Sequence, residues 1–89
     1  MILCRVLSKA VSSRKDERLE GAKLLVVVEI DPDGGERRDL HVVADTLGAG
    51  EGDTVLVVIG SAARLTAATR HQPIDALVVG IVDAIEVQT

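Results

Sequence analysis

The chain has no phenylalanine, tyrosine or tryptophan, and only one cysteine and two prolines, in 89 residues. Each scarcity excludes something. Without aromatic residues the core must be aliphatic. The chain also lacks the stacking platforms with which small β-barrels hold single-stranded nucleic acid, worth about 1–3 kcal/mol per base. A single cysteine, Cys4, excludes an internal disulfide, and nothing in the pattern suggests a structural metal cluster. Basic residues are outnumbered 10 to 14, and the net charge of −4 removes the attraction that a phosphate backbone would need. No long apolar run is present. The longest, Ala76 to Val82, falls far short of the ~20 residues of a membrane helix. Met1 to Cys4 is too short for a signal-peptide core and is interrupted by Arg5. The expectation is a cytoplasmic protein with a reduced thiol, and neither nucleic acid nor membrane as a partner.

What is there is aliphatic and β-branched. Hydrophobic residues make up 47% of the chain, and the abundance of Val, Ile and Thr favours strands. The length fits one domain over residues 1–89. A chain this small buries only about 60–65% of its unfolded surface. With no disulfide or metal to add stability, oligomerisation is the remaining source of buried area.

Five strands are expected. Ile2 to Val11 forms the first, with Ile2, Cys4 and Val6 on one face and Ser8 and Ala10 continuing it. Leu3, Leu7 and Val11 lie on the other face, which must then be partly covered. Ser12 to Arg18 reads as a charged loop, and Ala22 to Ile30 as the second strand. Asp31-Pro32-Asp33-Gly34-Gly35 is a turn, because Pro fixes φ and Gly admits φ > 0. Leu40 to Ala44 returns as the third strand of a hairpin. Val55 to Ile59 is a short buried fourth strand, stopped by Gly60-Ser61. Ser61 caps a short α-helix over Ala62 to Arg70. After Pro73, Ile74 to Val87 forms the last and longest strand, with Gly80 marking a bulge or bend. The expected fold is all-β, a five-stranded OB-like Greek-key barrel with one short α-helix before the last strand.

Catalytic chemistry finds little support. His41 and His71 stand at no local spacing that recommends a nucleophilic or metal site. Asp39 shares a strand face with His41, but two ligands do not make a site. Asp45, Asp75 and Asp83 suit strand ends and turns, where a carboxylate accepts backbone N–H bonds. Cys4 has no activating neighbour and reads as a structural thiol. No catalytic residue, cofactor or metal is expected.

The most distinctive stretch is Gly48-Ala49-Gly50-Glu51-Gly52. It lacks G-x-G-x-x-G spacing and leads into a strand, whereas a dinucleotide fingerprint leads from strand into helix. The Lys-Ser/Thr pair of a phosphate loop is missing, and Glu51 and Asp53 would repel phosphate. Two readings remain: a tight turn, or a small-residue loop that lets several chains meet around a symmetry axis. Arg14 and Lys15, in the charged loop, are candidates for contact with a partner protein.

Several segments together carry a family resemblance. Ser13-Arg14-Lys15-Asp16 with Leu19-Glu20-Gly21-Ala22-Lys23-Leu24-Leu25 resembles a T-x-K-x-x-x-L-x-G-x-K-L-L segment. Val43 to Gly52 resembles V-A-V-D-x-x-G-A-G-x-G, with Ala44-Asp45 where A-V-D is usual. Gly60-Ser61-Ala62-Ala63-Arg64, Pro73-Ile74-Asp75-Ala76 and Gly80-Ile81-Val82-Asp83 resemble G-S-x-A-R, P-V-D-A and G-I-V-D. Their joint order resembles the EutN/CcmL family of bacterial microcompartment vertex proteins. Ser8-Lys9 and Cys4 depart from it, standing where the family often has Gly-Thr and a small residue. The resemblance implies an OB-like barrel assembling as a homopentamer. Such pentamers cap the vertices of a cytoplasmic protein shell built mostly from hexameric shell proteins of another fold. It makes Gly48, Ala49, Gly50 and Glu51 candidates for the pentamer axis. Arg14, Lys15 and Arg64 become candidates for contacts between subunits or with hexamers.

Two other classes share some features. A ring-forming co-chaperonin-like barrel has similar size and a Gly52-Asp53-Thr54-Val55-Leu56 strand start. It needs a long mobile loop with an apolar tip, and the segment Ser12 to Glu20 is too short and too charged. An OB-fold binding module for nucleic acid is disfavoured by the charge and the missing aromatics.

Overall fold

A computed structural model describes residues 1–10, 23–60 and 75–85. They form β1 (Ile2–Ala10), β2 (Lys23–Ile30), β3 (Glu36–Asp45), β4 (Thr54–Ile59) and β5 (Ala76–Val82), with no α-helix among the described residues. The helix expected over Ala62 to Arg70 lies outside them. The strands close into a barrel in the order β1-β2-β3-β5-β4, β1 pairing with both β2 and β4. Closure removes the free edges that would template pairing with other chains. Neighbours are antiparallel except β3 and β5, which meet in parallel at Ala44 and Leu77.

The core is aliphatic, as the composition demands. Cys4 and Val6 of β1, Leu25 and Val27 of β2, and Val43 of β3 point inward. Val55 and Val57 of β4 and Ala76 and Val78 of β5 meet them. Every strand contributes, and each fully buried Val or Leu contributes about 1.5–3 kcal/mol. Leu24, Ala44, Leu77 and Val58 form a second apolar row across β2, β3, β5 and β4. Leu24 and Ala44 are cross-strand partners, as are Leu77 and Val58.

Three local expectations are corrected. In β1 the register shifts between Val6 and Ser8, leaving Leu7 as an extra residue. Val6 pairs with the inward-facing Val27, but Ser8 pairs with Val26 and Ala10 with Leu24, on the opposite face. A bulge of this kind reverses the alternation, so Ser8 and Ala10 do not continue the inward face of Cys4 and Val6. In β3 the strand begins at Glu36, four residues before the apolar stretch. Glu36 to Leu40 are exposed, so polar side chains suit that end of the hairpin. Finally β5 spans seven residues and β3 ten, so the last strand is not the longest.

The turn between β2 and β3 is as expected. The Gly34 N–H donates to the Asp31 carbonyl at 2.8 Å, and the Asp31 N–H to the Gly35 carbonyl at 2.9 Å. Gly34 takes φ +88°, which its lack of a Cβ permits. In β5 the register shifts beside Gly80, which pairs with Leu56 while Val57 pairs with Val78.

Candidate functional site

The segment from Asp45 to Asp53 is held by its own polar groups. Asp45 ends β3 and is 2% exposed. Its carboxylate accepts the Leu47 N–H at 3.0 Å and the Ala49 N–H at 2.8 Å. Asp53 accepts the Gly50 N–H at 2.8 Å, and its own N–H donates to the Gly50 carbonyl at 3.0 Å. The Lys23 ammonium, cross-strand from Asp45, donates to the Ala49 carbonyl. Gly52 N–H to Val6 carbonyl and Val6 N–H to Asp53 carbonyl, both 2.9 Å, tie the loop to β1. A glycine-rich segment that would otherwise lose much entropy on ordering is thereby fixed in one shape.

Within this loop the four candidate axis residues have different roles. Gly48 is exposed and adopts φ +86°. Gly50 is half-buried, and a Cβ there would meet only the Asp53 carboxylate, at 3.9 Å. Glu51 is exposed in the turn before β4. Ala49 is fully buried and its methyl is part of the barrel core. The surface of the loop is therefore Gly48, Gly50 and Glu51, and Ala49 anchors it from beneath. The candidate contact residues Arg14, Lys15 and Arg64 lie outside the described residues.

The loop itself is legible in the sequence, but its braces Lys23 and Asp53 are not. Asp45 was expected at a strand end accepting N–H groups, and it does so. An acidic residue on each side of a glycine run was the available signal. Lys23 offered none, because its role depends on the β2–β3 register.

The other chemical groups are dispersed or engaged. Cys4 is fully buried, and burial and the nearby Glu29 carboxylate push its thiol up to about 11. Glu29 accepts from Arg37 at 3.0 Å, and its other oxygen lies 3.9 Å from His41 Nε2. That nitrogen is buried and makes no hydrogen bond. The bond to Glu29 and the carboxylates of Asp31 and Glu29 push the Arg37 guanidinium further up. An open groove of about 270 Å³ lies between the β2–β3 turn and the end of β5, with Arg5 and Ile85 in its wall. Arg5 is committed there, donating to Glu36 at 3.1 Å and to the Gly34 carbonyl at 3.2 Å. No three potential metal ligands gather among the described residues.

The described residues thus form a small closed barrel with a braced loop of small residues between β3 and β4. The chain belongs to the EutN/CcmL family, described as ethanolamine utilisation protein EutN/carboxysome, which matches residues 1–83. A microcompartment shell vertex protein, GrpN, of Rhodospirillum rubrum (strain F11) is 47% identical, covering 97% of each chain. A carboxysome shell vertex protein, CcmL, of Synechocystis (strain PCC 6803) is 42% identical, over 98% of this chain and 87% of its own. The solved structure of the pentameric GrpN shell protein from Rhodospirillum rubrum superposes with a TM-score of 0.88 at 44% identity. That match covers 99% of this chain and all of the other.

Proposed function

We propose that this chain is a structural, non-catalytic shell protein whose homopentamer caps the vertices of a bacterial microcompartment within the cytoplasm. The observation that carries this reading is full-length similarity to shell vertex proteins, one of them a pentamer in its solved structure. The chemistry agrees. A small aliphatic barrel without disulfide or metal gains buried surface by closing a ring. Residues 1–89 act as one domain in this reading. The strand order β1-β2-β3-β5-β4, with β3 and β5 parallel, supports an OB-type Greek-key barrel. The short helix before β5 remains part of the proposal.

The Gly48–Glu51 loop is assigned to the five-fold axis. Its support is a braced backbone presenting two glycines and one carboxylate, so that five copies can approach closely. Arg14, Lys15 and Arg64 are assigned to contacts with neighbouring subunits or with hexameric shell proteins, as rim charges that set register. The test is reconstitution with hexameric shell protein. Closed shells should form with this chain and remain open at the corners without it. Closed shells of equal number in its absence would remove the vertex role. For the axis, Glu51→Trp should leave the monomer folded and impair ring formation, and unaltered rings would move the loop off the axis.

A further inference from the structure

We infer that the outer face of the β2–β3 hairpin, centred on Leu40 and Val42, is a surface that docks against a second copy of this chain. The inference rests on the ring-forming reading above and specifies which face the neighbouring subunit covers. Leu40 is 61% exposed and Val42 58%. They stand two residues apart on β3 and so share a face. Of their cross-strand partners on β2, Val26 is half-buried and extends the apolar area, while Val28 is already covered within the chain at 3% exposure. A sheet face left to solvent reads polar, yet the accessible positions here, Leu40, Val42 and the half-buried Val26, are aliphatic. Ala44 continues the face and is already covered within the chain, at 2% exposure. Toward the hairpin tip the exposed Arg38, two residues before Leu40, gives the apolar area a charged margin.

This is the organisation of a subunit contact, apolar at its centre and polar at its rim. The occupant is argued on two grounds. The family includes a pentamer that matches this chain over its whole length, so two distinct faces of each subunit must be covered by neighbours in a heterologous ring. The centre of the face also carries no charge, which matters for a chain of net charge −4 that must pack against itself.

The experiment compares the intact chain with Leu40→Lys and Val42→Lys, by native mass spectrometry across a dilution series and by circular dichroism. The intact chain should be a pentamer. Each variant should keep its β-sheet spectrum and dissociate at concentrations roughly 30-fold higher or more, as expected when a lysine must be desolvated in a contact centre. A pentameric wild type with equally tight variants would overturn the docking face while leaving the ring reading intact. A monomeric wild type would overturn both. A milder change covers the case in which lysine disturbs folding. A thiol introduced by Leu40→Cys should react with a maleimide at least ~10-fold more slowly in the ring than after dilution, Cys4 remaining buried. Equal rates in ring and dissociated chain would also overturn the docking face.

Discussion

The Asp45 carboxylate accepts the backbone N–H of Ala49 at 2.8 Å, while the methyl group of Ala49 is fully buried in the barrel core. One residue thus fixes the loop through its backbone and the other through its side chain. The geometry of the glycine loop is set by the barrel beneath it, and the loop can be tested apart from any assembly.

Asp45→Ala leaves the N–H groups of Leu47 and Ala49 without their acceptor. The Ala49 bond is buried, and hydrogen bonds to charged groups are worth about 1.5–3 kcal/mol each. The expected loss is roughly 3 kcal/mol in urea unfolding, with Asp45→Asn losing less because its amide oxygen can still accept one bond. Equal stability of all three proteins would show that the brace contributes nothing.

Ala49→Leu should destabilise the folded chain by about 1–3 kcal/mol, because it overfills a closed core. Its effect on a ring would therefore follow from the fold and not from crowding at an axis. A melting temperature equal to wild type would contradict the burial of this side chain.

Gly50 and Gly52 should respond differently to alanine. Gly52 adopts φ +87°, where an L-residue is strained by about 1–2 kcal/mol. Gly50 has no positive φ, and its added methyl would meet ordinary contact distance at 3.9 Å. Thermal melts should show Gly52→Ala clearly destabilised and Gly50→Ala within about 0.5 kcal/mol of wild type. The reverse order would invalidate the loop conformation.

The Cys4 thiol, raised from 9.0 to about 11, makes stability fall with alkalinity. Below pH 9 both folded and unfolded chains hold the proton, and no difference arises. Above pH 9 the unfolded thiol ionises while the folded one does not, so unfolding is favoured increasingly until pH 11. The effect is on the order of 3 kcal/mol at most, from 1.36 kcal/mol per unit. Denaturant titrations from pH 8 to 11 should show this fall in the wild type and a shallower one in Cys4→Ala. Parallel slopes would remove the effect.

Much of this fold is legible in the sequence because its strands are short aliphatic runs between strong turn signals. Val55 to Ile59, ended by Gly60, and Asp31 to Gly35 are located by chemistry that acts within a few residues. The bulge at Leu7 is not legible, since it depends on the register in which β1 pairs with β2. The start of β3 at Glu36 is hidden for a related reason. Its polar side chains are held by cross-strand pairs, Arg5 with Glu36 and Arg37 with Glu29, which depend on register. The glycine loop was recognisable as a loop, but composition could not tell Ala49, facing the core, from Gly48 and Gly50 beside it.

The most direct measurement is the native mass of the purified chain. Five chains of 9.4 kDa should appear as one species at about 47 kDa. That result would establish the closed ring on which the vertex function depends. A strict monomer at high concentration, or a ring of seven, would contradict it.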